Sequence, residues 1–140
     1  MAYENSHSLP LEVYNKSTPP GWTPGDARYP LRRYQQLLDL WVRFTDLSPE
    51  KRGPAMAARL KGSAFELAIR MRTTRHLPPD GRVQELESGA ALACDEIAAF
   101  TLPDGTNVPS QPGGGALLFA LLEAEFRNSI QNTTIASIDA

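Results

Sequence analysis

The chain has 140 residues, 41% of them hydrophobic, with 14 lysines and arginines against 16 aspartates and glutamates. That is the content of one ordinary domain with its own core, too short for a second full domain. No apolar run approaches the roughly 18–20 residues that cross a bilayer. The single Cys94 excludes an intrachain disulfide and any zinc site built from several cysteines.

The start, Met1-Ala-Tyr-Glu-Asn-Ser-His7, has neither the charged nor the apolar part of a secretory signal, so the expected location is cytoplasmic. The net charge of −2 conceals a division along the chain. Between Ala27 and Arg82 twelve bases face five acids, a surplus of seven; from Val83 onward one base faces eight acids, a deficit of seven. Either the two halves pack together and neutralise each other within a monomer, or a basic surface of one copy meets an acidic surface of the next or a nucleic acid.

Residues 1–29 carry Pro10, Pro19, Pro20 and Pro24 with Gly21 and Gly25, which bars a long helix and predicts an extended arm. Leu9, Leu11, Val13 and Tyr14 hint at one short strand, and Trp22 is the expected anchor of the arm on the domain. In 30–46 the apolar residues Tyr34, Leu37, Leu38 and Trp41 recur at helical spacing. Arg32, Gln36, Asp39 and Arg43 form the polar row, and Asp39–Arg43 is a favourable i, i+4 pair.

Ser48-Pro49-Glu50 is a helix start, which Gly53-Pro54 is expected to break after about one turn. Helical register resumes at Ala55 and runs through Met56, Leu60, Ala64, Leu67 and Met71, with a break at Gly62 and with Phe65 widening the apolar side. Arg70, Arg72, Arg75 and His76 cluster where that helix should end, as cations complementing its dipole. Pro78-Pro79-Asp80-Gly81 is a turn, and Arg82–Phe100 permits a helix weakened by Gly89. Residues 102–115, rich in proline and ending in three glycines, are expected to form a long flexible loop. Leu118, Leu121, Leu122 and Phe126 mark a last helix whose Leu117 and Phe119 exceed what one packing partner needs. Residues 130–140 are expected to be a tail.

The expected fold is therefore all-α: a compact bundle of about four to six helices over 30–129 behind an extended arm. Trp22, Tyr34, Leu38, Trp41, Leu60 and Phe65 are its expected anchors. Two histidines at unrelated positions and one cysteine offer no pair of catalytic groups and no metal-ligand spacing, so no catalytic, cofactor or metal residue is assigned.

Pro19-Pro-Gly-Trp22 with Gly25-Asp26, then Leu38-Asp-Leu-Trp41, Glu50-Lys-Arg-Gly-Pro54 and Leu60-Lys-Gly-Ser-Ala64, resemble in order and spacing the Gag capsid region of long-terminal-repeat retrotransposons, particularly copia-like elements. The resemblance covers roughly residues 19–72, and Leu117–Phe126 loosely resembles the helix that follows. It implies a non-enzymatic structural protein whose copies associate through helix contacts into oligomers or a shell. On that reading Arg32, Arg33, Arg43, Arg72, Arg75, Leu117 and Phe119 are the candidate assembly or nucleic-acid contacts. RNA is the family's cargo, yet the Cys-x₂-Cys-x₄-His-x₄-Cys knuckle that often binds it has no counterpart here, and Asp104-Gly-Thr106 only superficially matches an aspartic-protease triplet. The alternatives are a helical adaptor holding a partner peptide in a groove near Phe119, and a nucleic-acid module using the basic 28–82 region.

Overall fold

Five helices and two small antiparallel sheets make up the described part of the chain, 43% helix and 17% strand, so the fold is mixed α/β and the all-α expectation is corrected. The computed structural model describes residues 10–127. Helices α1 (Leu31–Phe44), α2 (Pro49–Ala58) and α3 (Gly62–Ile69) come first. A hairpin of β1 (Arg72–Leu77) and β2 (Arg82–Glu87) follows, then short α4 (Ser88–Leu92) and a small hairpin of β3 (Phe100–Thr101) and β4 (Asn107–Val108). Helix α5 (Gly114–Leu122) runs into a π-helical turn at Glu123–Arg127.

α1 forms as its periodicity requires, burying Leu31, Tyr34, Leu38 and Trp41 on one side. α2 starts at the Ser48–Pro49 signal but passes through Pro54 instead of breaking there. Proline in place removes one helical bond, and the packing of buried Gly53, Met56 and Ala57 outweighs it. The break expected at Gly62 falls just before it, at residues 59–61: Gly62, at φ +60°, is the first residue of α3. α3 packs through Ala64 and Ala68; Phe65, expected as an anchor, is 37% exposed because it lies off that narrow small-residue face.

The arm needs no strand to be held. Residues 10–14 form a turn and extended chain, and Arg59 reaches back over them. Its Nη2 donates to the carbonyls of Pro10 (3.0 Å), Leu11 (3.1 Å) and Val13 (2.8 Å), and its Nε donates to Pro19 (3.1 Å). Trp22 bridges backbone with Leu60, and its Nε1 donates to Tyr29 O at 3.0 Å. Trp41 Nε1 donates to Asn15 O at 2.9 Å, so one indole closes the arm on itself and the other ties it to α1. Arg59→Met is expected to release residues 10–19 before the rest unfolds: limited proteolysis should cut there at least tenfold faster, with global stability falling by about 2 kcal/mol.

Trp22 stacks on Tyr34 (6.0 Å between ring centroids), Phe126 meets Trp22 edge-on (5.2 Å), and Phe119 lies over Tyr34 (6.2 Å). Within this cluster the Tyr34 hydroxyl is buried without a hydrogen-bond partner. Burial raises its pKa, and Tyr29's also, above the ordinary 10.0. The folded state therefore holds the phenolic protons more tightly than the unfolded state. Their contribution is full below about pH 10 and is lost as pH rises beyond it. Tyr34→Phe is expected to leave stability at pH 7 unchanged or higher by about 1 kcal/mol, since a buried unpaired hydroxyl contributes only its desolvation cost. It should also flatten the alkaline decline, both read from urea midpoints at pH 7 and pH 10.5.

The hairpin replaces the helix end expected at Arg70–His76 and the helix expected from Arg82. Its register pairs Arg72 with Glu87, Thr73 with Leu86, Thr74 with Glu85, Arg75 with Gln84, His76 with Val83 and Leu77 with Arg82. Pro78–Gly81 supplies the turn, with the Pro78–Pro79 bond cis. Thr73, Arg75, Leu77 and Leu86 are at least partly buried, whereas Arg72, Thr74, His76, Val83, Glu85 and Glu87 all face solvent.

Residues 102–115 are a built strap rather than a featureless loop. Ile97 and Gln111 exchange backbone bonds (2.9 and 2.8 Å), and the Gln111 amide reads the backbone of His76 twice: His76 N–H donates to Oε1, and Nε2 donates to His76 O, both at 2.8 Å. Asp104 Oδ1 accepts the Thr106 N–H at 2.9 Å at the tip, a bond that lowers its pKa. The expected tail at 130–140 lies outside the described residues.

Candidate functional site

The surface features that look outward gather along α1. Its core side packs on Trp22, on Phe119 and on the arm at Asn15, but Leu40 (55% exposed), Val42 (42%) and Phe44 (43%) face solvent. Arg33, Leu37, Leu40 and Phe44 follow one another at i, i+4, i+7 and i+11, and Tyr14 of the arm covers part of Phe44 (5.9 Å). Arg32, Gln36, Asp39 and Arg43 form the parallel polar row, all exposed. The Asp39–Arg43 pair expected from spacing is not among the ion pairs of the described residues: on an exposed helix such a pair gains only about 0.3–0.5 kcal/mol, little against side-chain freedom.

At the start of α1, Arg28, Pro30, Arg32, Arg33 and Gln36 border a shallow basic hollow. Arg28 reaches Asp26 at 3.5 Å, while no carboxylate among the described residues pairs with Arg32 or Arg33. Toward the other end of α1 a groove of about 520 Å³ opens between α1, α2 and the start of α5. Leu38, Val42, Met56, Ala116 and Phe119 give it apolar walls, and Asp39, Asp95, Glu96 and Arg52 are its charged lining, three acids against one base. Arg52 is committed in part, its Nε donating to Leu47 O at 3.1 Å.

The start of α5 explains part of this acidity. Its cap is Gly113, with no side-chain bond to the free amides. The Asp95–Glu96 backbone passes within 3.3–3.6 Å of where a Gly113 Cβ would stand, so this acidic pair lies beside the start of α5, where Cys94 O takes the Gly114 N–H and Asp95 Oδ1 takes the Glu96 N–H. Asp39, on α1, has no such helix end to balance it.

The twelve-to-five and one-to-eight halves do not cancel through ion pairs. Among the described residues the pairs are Arg28–Asp26, Arg70–Glu66, Arg72–Glu87, Arg82–Asp80 and Arg127–Glu123, and only Arg72–Glu87, at 3.3 Å, joins one half to the other. Three arginines of the basic half bind carbonyls: Arg52 at Leu47, Arg59 along the arm, and Arg75, which is 2% exposed and donates to Pro112 O and Asp95 O. Arg75, expected as an outward contact, is thus turned inward. Arg32, Arg33, Arg43 and Arg72 are exposed; Leu117 and Phe119 are half-buried against the core.

Trp22, Tyr34, Leu38, Trp41 and Leu60 are buried together. The groove's Asp95 and Glu96 escaped notice in the sequence because their place beside Asp39 depends on how the chain returns from the hairpin to α5. Phe119, as an apolar excess, was its one visible sign. Among the described residues no three His, Cys, Asp or Glu side chains gather into a group that could hold a metal ion, and no helix is long and apolar enough to cross a membrane. No protein-family model, curated protein or solved structure matches the chain.

Proposed function

We propose that this chain is a non-enzymatic structural domain that associates with copies of itself, in the manner of the Gag capsid region that residues 19–72 resemble. The observation that carries the reading is the charge left unspent inside the molecule: one ion pair links the basic and acidic halves among the described residues, while Arg32 and Arg33 at one end of α1 and the acidic groove at the other face solvent. A molecule with two exposed surfaces of opposite sign is complementary to itself. Leu40 and Phe44 add the apolar contact that charge alone does not supply.

Sedimentation equilibrium of the full chain over rising protein concentration tests this. The mass should climb above that of the 15.4 kDa monomer at low salt and fall back as salt screens the contact. A mass that stays monomeric at high concentration and at every salt overturns the reading. If RNA, added to such a monomer, binds it with steep salt dependence, nucleic-acid binding through the basic 28–82 region takes its place.

A further inference from the structure

Resting on that self-association, we infer that the groove between α1, α2 and α5 is the socket for the basic start of α1 of a second copy. Arginine fits the groove's chemistry: its alkyl stem can lie on the apolar walls at Val42 and Phe119, and its guanidinium can reach Asp39 and Glu96 on the rim. The face of Phe119 adds cation–π attraction. Arg32 and Arg33 are exposed and carry no carboxylate partner among the described residues, so docking breaks no bond of the monomer.

Arg32 stands seven residues, about 10 Å along α1, from Asp39, and no ion pair joins plug and socket within the molecule among the described residues. Because Arg32 and Asp39 lie in the same row of α1, two copies with antiparallel α1 helices can each seat a plug in the other's socket. Such a pair is isologous and closes as a dimer, whereas copies docked one way only leave a socket and a plug free and propagate into a ring or an open chain.

Two exposed-site variants separate the outcomes. Arg32→Ala with Arg33→Ala removes the plug, and Asp39→Asn with Glu96→Gln removes the socket charge. Unchanged far-UV circular dichroism and melting temperature establish that each still folds. Wild-type chain should reach dimer or larger with concentration, and each variant alone should associate at least about tenfold more weakly. An equimolar mixture of the two should form a 1:1 heterodimer and nothing larger, because only one functional plug and one functional socket remain per pair. Variants that associate as wild type, or a mixture that stays monomeric, overturn the socket while leaving self-association standing through another face. A wild-type chain that never leaves the monomer overturns both.

Discussion

Arg75→Met is expected to lower stability by about 3 kcal/mol, in the range for removing a buried, hydrogen-bonded charged group. Arg75 is 2% exposed in the middle of β1, and its two terminal nitrogens donate to Pro112 O and Asp95 O. Methionine keeps most of the volume but leaves both carbonyls without those donors. The loss should be localised as well as global. The backbone amides of Ile97 and Gln111, bonded to each other's carbonyls across the strap, should exchange hydrogen faster than amides of α1. Arg72→Met is the comparison: two residues away, its guanidinium is 81% exposed and meets Glu87 at 3.3 Å, an ion pair worth at most about 0.5–1 kcal/mol. Equal urea midpoints for the two variants would refute the clamp.

Gly114→Ala is expected to be more damaging, costing above about 3 kcal/mol or preventing folding at 37 °C. A Cβ on Gly114 would stand 1.9 Å from Leu92 O and 2.4 Å from Leu92 C, both backbone atoms that no rotamer change can remove. Gly53 of α2 faces the same carbonyl at 1.9 Å and lies 3.2 Å from the carbonyl carbon of Gly114. The last residue of α4 is thus inserted where α2 and α5 cross, and only two glycines let the backbones come so close. Gly53→Ala should behave alike. Gly89→Ala, with nothing within 4 Å of its Cβ, should change stability by no more than about 0.5 kcal/mol or raise it slightly. Thermal midpoints of the three variants decide; a Gly114→Ala protein as stable as Gly89→Ala would mean that the crossing is looser than described.

The same crossing bears on the groove, since Gly113 and Gly115 line it beside Phe119. α2 and α5 both wall the groove, through Arg52 and Met56 on one side and Gly115, Ala116 and Phe119 on the other. A variant that pushes the helices apart would therefore disturb both stability and the proposed socket, which is why the interface test uses Arg32, Arg33, Asp39 and Glu96 instead.

The first part of the chain was legible because its signals are local. α1 is written in the spacing of Tyr34, Leu38 and Trp41, α2 in Ser48-Pro49, and the break before α3 in Gly62. The hairpin was illegible for the opposite reason. An inward strand face normally shows as alternating apolar residues, but here that face carries Thr73, Arg75 and Leu77 opposite Leu86, Gln84 and Arg82. Its central pair is polar, so the cations from Arg70 to His76 resembled a helix end. What makes Arg75 acceptable inside is a pair of carbonyls 20 and 37 residues away, which no window of sequence contains.

Length, proline, periodicity and charge act where they stand, so a domain-sized chain, an arm barred from a long helix, the buried face of α1 and the opposed charges of the two halves can all be read from local signals. Packing between distant segments is what turns Arg59 and Arg75 onto backbone carbonyls and leaves Arg32 and Arg33 outside. It alone brought Asp39, Asp95 and Glu96 to one groove, because those placements follow from the packing of α5 and the strap against elements distant in the chain. A charge tells its sign from the sequence; whether it is buried, paired or free depends on what the fold sets beside it.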